Sequence, residues 1–174
     1  MARALVLIRH AKSNWSEPVP DRERPIGKRG RRQAPAVGRW LREQEIVPDL
    51  ALVSPARRAR ETWELVAAEL KGGASRDGVR TVVRSAVEAY TFDGEDLMRL
   101  VHSVPADVEV VALVGHNPAL EELIDMLTGA DQPMPTSAVA VIDPGSTPWS
   151  ELTAGARLVT AGRPADGPLP PAAS

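Results

Sequence analysis

The chain has 174 residues, 43% of them apolar and only 3% aromatic, with a formal net charge of −2 and no cysteine. That length suits one domain with a core of Leu, Val, Ile and Ala, and the near-neutral charge offers no electrostatic footprint for nucleic acid or an anionic membrane. Without cysteine, disulfides, thiolate nucleophiles and cysteine metal sites are excluded, and no run approaches the roughly 20 apolar residues of a membrane helix.

The apolar run after Arg3 is too short for a signal-peptide core, so a cytoplasmic protein without a leader is expected. That run, within residues 3–9, is Leu5-Val6-Leu7-Ile8 and passes directly into Arg9-His10. It predicts a buried strand with a cation and an imidazole at its C-terminal end. A polar loop, residues 12–30, follows. Trp15 reads there as a local plug and Arg24 as an anchor. From Arg31 the spacing of Ala34, Val37, Gly38 and Leu41 predicts a helix, with Pro35 in its first turn. Leu50-Ala51-Leu52-Val53 predicts a second strand. Ser54-Pro55 then reads as an N-cap followed by proline at the first helical position, on a helix that buries Ala59, Thr62, Trp63, Val66 and Leu70 and stops at Gly72-Gly73.

Residues 80–84 predict a short β-branched strand. Asp93 predicts the cap of a helix that buries Leu97, Leu100, Val101 and Val104 and turns His102 to solvent. The continuous apolar run 108–114 predicts a central strand that leads into Gly115-His116. Asn117-Pro118 repeats the cap-then-proline device before a helix striped with Leu120, Leu123, Ile124 and Leu127. Further strands are expected at 138–142 and 157–159. The alternation predicts a three-layer α/β/α sandwich around a mostly parallel sheet, formed by residues 1–162, with residues 163–174 as a flexible tail rich in Pro, Gly and Ala.

Sites in such sheets lie beyond the carboxyl ends of the strands. That edge would gather Arg9, His10, His116 and the arginines Arg57 and Arg58 of the second helix. Guanidinium groups bind phosphate oxygens in pairs, a neutral imidazole can attack phosphorus, and a second, protonated imidazole can stabilise charge on the transferring group. Each residue alone has a plain alternative: a solvated helix face for the arginines, a helix cap for His116. Their shared placement favours a phosphoryl-transfer site.

At this point the chain resembles a known family. Leu7-Ile8-Arg9-His10-Ala11-Lys12-Ser13 looks like the Arg-His-Gly signature of the histidine phosphatase superfamily, the phosphoglycerate mutase-like group, with Ala11 in place of the usual glycine. Ser54-Pro55-Ala56-Arg57-Arg58-Ala59-Arg60-Glu61-Thr62 and Val114-Gly115-His116-Asn117-Pro118 match its second and third elements. The short length, the Asp21-x-x-Arg24-Pro25-Ile26-x-x-x-Gly30 segment and Pro135-Thr136-Ser137-Ala138 are similar to the SixA-type phosphohistidine phosphatases. The resemblance spans residues 3–162. It implies a phosphoglycerate mutase-like fold, His10 as nucleophile, and Arg9, Arg58 (rather than Arg57) and His116 as the phosphate pocket.

The expected reaction is a two-step transfer through a phosphohistidine on His10, with no metal or cofactor required. An alkoxide leaving group needs an acid; Glu88 is the best-placed candidate, with Asp93 and Glu95 behind it. An imidazole leaving group, with an ordinary pKa of about 6.5, needs less help. Lys12, Ser13 and Asn14 are candidate substrate contacts, although a plain polar loop would look the same. The substrate is expected to be a phosphorylated protein or small molecule, most of all protein phosphohistidine. The alternatives are a phosphomonoesterase for a small metabolite or phosphoserine protein, and a non-catalytic phosphate-binding module. Nothing in the sequence sets an oligomeric state.

Overall fold

The computed structural model describes residues 2–71 and 80–170; the expected helix stop at Gly72-Gly73 and residues 171–174 of the expected tail lie outside them. Six strands, β1 (Ala4–Arg9), β2 (Leu50–Val53), β3 (Val82–Ser85), β4 (Val110–Gly115), β5 (Val139–Asp143) and β6 (Arg157–Gly162), form one sheet in the order β3-β2-β4-β1-β5-β6. The first four of that order run parallel, and β5 and β6 add antiparallel pairings at one side. β2 and β4 are apolar and buried along their length, and β1 is so up to Arg9, as expected of strands covered on both faces. β3, by contrast, is an edge strand with all four residues exposed.

Side-chain alternation splits the core into two layers. Leu5 and Leu7 of β1 and Val111 and Leu113 of β4 face one cluster; Val6, Ile8, Ala112 and Val114 face the other. Helices α3 (Gly94–His102) and α4 (Ala119–Thr128) cover the first face, and α1 (Lys28–Glu43) and α2 (Arg57–Leu70) cover the second. Asp93 caps α3 as expected, with its Oδ1 accepting from Glu95 N at 2.8 Å.

Several expectations shift. Helix α1 begins at Lys28, so Pro35 lies inside it rather than in its first turn. The added turn is polar, which leaves no apolar period to reveal it. Gly38, a weak residue for a helix, is required by packing: a Cβ there would stand 2.3 Å from Val66 O of α2. The two cap-then-proline devices do not cap. α2 starts at Arg57 and α4 at Ala119, with Ala56 and Pro118 at their N-cap positions and no side-chain cap on either. The hydroxyl of Ser54 and the Nδ2 group of Asn117 are engaged elsewhere.

His102 does not face open solvent; its Nε2 lies 2.7 Å from Leu152 O in a half-buried position. Beyond Gly162 the chain still packs. Arg163 Nε donates to Thr136 O at 2.8 Å, residues Pro164–Asp166 form a 3-10 turn, and Leu169 rests on the α1/α2 side of the core. Among the described residues, no helix is long and apolar enough to cross a membrane.

Candidate active site

The register of the two central strands places the two histidines together. β1 and β4 pair in parallel with Arg9 opposite Gly115, so the next residue of each, His10 and His116, leaves the sheet at the same level. His10 N donates to Gly115 O at 3.1 Å, and the ring centroids lie 5.1 Å apart. Both are buried, at 8% and 3% exposure. His10 Nδ1 faces Ala11 O at 2.8 Å. A carbonyl only accepts, so Nδ1 carries the proton in this pairing and Nε2 keeps its lone pair.

Ala11 holds that carbonyl through two contacts of its own. Its methyl packs with Ile26 and Ala34, and its N–H donates to Thr62 Oγ1 at 2.8 Å. The Thr62 hydroxyl in turn donates to Arg58 O at 2.6 Å, tying the His10 loop to the first turn of α2. The Ser54 hydroxyl, at the end of β2, stands 2.7 Å from His116 Nε2 and accepts from Ala56 N at 3.3 Å. This is why it does not cap α2 in the expected way.

Arg58 enters from α2, 6% exposed. Its Nη1 donates to Asp21 O at 2.8 Å and its Nη2 to Asp21 Oδ2 at 3.0 Å. Arg57 instead turns outward to Glu61 at 2.6 Å. Asp21 Oδ2 also accepts from the Tyr90 hydroxyl at 2.5 Å, and Oδ1 from Arg24 at 2.7 Å. The Tyr90 ring meets His116 edge-on at 5.5 Å. Trp15 is no plug: it is 69% exposed, with the Arg24 guanidinium 3.4 Å above its ring centroid.

On the other side, Arg9 Nη1 donates to Met134 O at 2.9 Å. Asn117 Nδ2 donates to the same carbonyl at 2.9 Å and to Glu121 Oε1 at 2.7 Å, and that carboxylate accepts from Met134 N at 2.8 Å. Ser137, buried and with φ of 61°, donates its N–H to His10 O at 3.3 Å. Buried polar atoms are nearly always paired. Here Arg9 Nε, His116 Nδ1, Asn117 Oδ1 and Ser137 Oγ have no partner among the described residues, and all four belong to this one edge of the sheet.

The electrostatics follow from burial. His10 is pushed down to about 4, mainly by desolvation and further by the charges of Arg58 and Arg9, against the opposing pull of the Ala11 carbonyl and Asp21. His116 is pushed down to about 3 by desolvation, then by His10 and Arg58. Both imidazoles are therefore neutral near pH 7. A protonated His116 is not what the protein's own groups produce, because the cations around it disfavour a further positive charge. Burial raises Asp21, but hydrogen bonds from Tyr90, Arg58 and Arg24 outweigh it and hold the carboxyl at about 2.

The remaining candidates sit at the rim. Glu88 is exposed on the 3-10 turn Val87–Ala89 after β3. It lines a groove of about 390 Å³ with Tyr90, Thr91 and Asp96. Asp93 is the α3 cap, and exposed Glu95 lies 3.9 Å from Arg99. Lys12, Ser13 and Asn14 pair with residues 25–27: Gly27 N donates to Lys12 O and Asn14 N to Pro25 O, both at 2.8 Å, and Ser13 bridges Ile26. The Asn14 side chain accepts from Ser16 N and Oγ. A groove of about 780 Å³ between α1 and residues 159–170 holds none of these groups.

Four residues that contribute to this geometry, Ser54, Thr62, Asp21 and Tyr90, were not among the site residues expected from the sequence. Thr62 and Ser54 stand inside the matched motif, and Asp21 inside the segment noted for its resemblance. Tyr90 carried no signal beyond being the chain's one tyrosine.

Comparison with known proteins gives this arrangement its context. The family model described as histidine phosphatase superfamily (branch 1) matches residues 5–78. An uncharacterised chloroplastic protein of Arabidopsis thaliana is 31% identical over 160 residues, covering 88% of this chain and 72% of that one. The chain belongs to the histidine phosphatase superfamily. Its structural neighbours place it in the SixA-type branch. A proposed phosphohistidine phosphatase SixA from Nakamurella multipartitia superposes with a TM-score of 0.74 at 30% identity, over 92% of this chain and 95% of that one. The fold is also that of a protein histidine phosphatase SixA complexed with tungstate, with a TM-score of 0.76 at 20% identity, over 94% and 98% of the two chains. Within this superfamily the three matched elements are the strand ends and the helix turn that meet around His10.

Proposed function

We propose that the protein hydrolyses phosphohistidine on a protein substrate through a phosphohistidine of its own at His10. The observation that carries this reading is the neutral His10. Its Nδ1 is committed to the Ala11 carbonyl and its Nε2 lone pair is available, between Arg9, Arg58 and His116. In the first step Nε2 attacks phosphorus in line, the substrate P–N bond breaks, and the leaving imidazole takes a proton from solvent. Water then attacks the same phosphorus, the P–Nε2 bond breaks, and inorganic phosphate leaves with His10 restored. Guanidinium donors of Arg58 and Arg9 stabilise the equatorial oxygens. A bound phosphoryl dianion supplies the negative charge that lets His116 take up a proton and donate to the same oxygens. Lys12, Ser13 and Asn14 form the wall against which the substrate lies.

The carboxylates favour a nitrogen leaving group. The charge of the Asp21 carboxylate acts on both histidines, and three donors keep it ionised. It is thus a poor proton donor near pH 7. Glu88, out on the rim, supports the second reading: it would protonate the alkoxide of a phosphomonoester. The SixA-type relatives support the first.

The deciding experiment compares phosphate release from a phosphohistidine-bearing protein with release from phosphoserine peptides, with and without a chelator. Preference for the phosphohistidine protein and insensitivity to the chelator are expected. Faster hydrolysis of phosphoserine would overturn the substrate assignment, and loss on chelation would overturn metal-independent chemistry.

A further inference from the structure

Asp21 begins the 3-10 turn Asp21–Glu23 in the loop after β1, and three elements converge on it. Its main-chain oxygen and Oδ2 receive two separate N–H groups of Arg58, at 2.8 and 3.0 Å. These two acceptors fix the guanidinium plane as a carboxylate fork would. Arg58 has five N–H donors, so those not held by Asp21 or Tyr90 remain for a phosphoryl group. The same Oδ2 receives the Tyr90 hydroxyl at 2.5 Å, and the Tyr90 ring packs on His116. Oδ1 is held by Arg24 at 2.7 Å. The carboxylate therefore links the phosphate-facing cation to the ring beside the second histidine, and it places a negative charge next to Arg58 in a pocket that also contains Arg9.

We propose that Asp21 is a positioning residue that orients Arg58 for the transferring phosphoryl group and tempers the pocket's positive charge so that product phosphate leaves. The inference rests on the phosphatase reading above. Two consequences oppose each other. Removing the carboxylate raises the net positive charge felt by a bound dianion, so ground-state phosphate binding tightens. It also frees the guanidinium to rotate, so donors aligned only in the transition state are lost and turnover slows. A residue that merely holds the fold together would weaken both together.

The test uses the full chain and the variants Asp21→Asn, Asp21→Ala and Asp21→Glu, with inorganic phosphate as the binding probe in calorimetry and a phosphohistidine-bearing peptide as substrate. Asp21→Asn is close in shape and keeps the main-chain acceptor, so it guards against loss of fold in Asp21→Ala. Both should bind phosphate roughly three- to tenfold more tightly while kcat falls at least about tenfold, and Asp21→Glu should recover part of the turnover. Unchanged kcat in folded Asp21→Asn, or kcat and phosphate affinity falling in parallel, would overturn the proposal. If the wild-type protein hydrolyses no phosphohistidine, the functional reading fails on that arm alone. The phosphate-binding arm still decides Asp21, because unaltered or weaker binding in folded Asp21→Asn rejects it.

Discussion

The centre of the pocket and its rim differ in how their residues are held. His10, His116 and Arg58 are at most 8% exposed, whereas Trp15, in the loop after β1, is 69% exposed. The two histidines follow the last residues of two paired strands, and their separation is set by sheet register. The rim residues hang on loops, joined by a few backbone bonds between residues 12–14 and 25–27 and by side-chain contacts such as Arg24 on Trp15. Buried groups bonded to backbone carry large, non-interchangeable effects; exposed groups on loops adjust to solvent and to substrate.

The largest expected effect is at the centre. His10→Ala should lower phosphate release by about 10⁴-fold or more while the fold is kept. Mixing the protein with labelled substrate should then trap no acid-labile phosphoprotein; residual labelling at another residue would move the nucleophile. Next, Arg58→Ala and His116→Gln should each cost on the order of 10²–10³ in kcat, measured with the phosphohistidine peptide. If either loss were no larger than that of a rim variant, the division between the two regions would fail.

A third test uses stability. In the folded protein His10 and His116 stay neutral down to about 4 and about 3, against about 6.5 for the unfolded chain. Between those values the unfolded state binds more protons, so stability is full above about pH 6.5 and is lost as pH falls toward 4. The slope is at most about 1.4 kcal/mol per pH unit for each histidine. Asp21, with its depressed pKa, contributes stability above the ordinary carboxylate range and loses it only as pH falls toward 2, so the window from 6.5 to 4.5 reports the histidines. Thermal unfolding across that window should be less steep in His116→Gln than in the wild type; identical slopes would mean that His116 is not buried neutral.

The rim should respond least. Glu88→Gln is expected to change phosphohistidine hydrolysis by less than about threefold, while slowing any phosphomonoester turnover more. A large loss on phosphohistidine would bring Glu88 into the centre. Trp15→Ala should cost under about 1 kcal/mol of stability, the usual scale of an exposed cation–π contact, read from denaturant midpoints.

The same division explains what could be read from the residues alone. Apolar runs that end abruptly in Arg9-His10 and Gly115-His116 announce strands and what lies at their ends, because a buried strand must be apolar until it leaves the core. The α/β/α layering and the Asp93 cap were legible for similar local reasons, whereas the preference for Arg58 over Arg57 came from the resemblance to the family's motif. The tail was less legible: Pro and Gly content did not disclose that Leu169 returns to the core.

Local pattern determined the strands, most helices and the placement of Arg9, His10 and His116 at the strand ends. Tertiary structure alone decided that the Ser54 hydroxyl serves His116, that Gly38 admits a neighbouring helix, and that Asp21 meets Arg58 and Tyr90 across 37 and 69 residues of chain. The physical reason is one of range. Hydrophobic periodicity records which face of an element is buried, but a hydroxyl, amide or carboxylate can bond within its own turn or across the fold. Only the packed positions of distant backbone select between them.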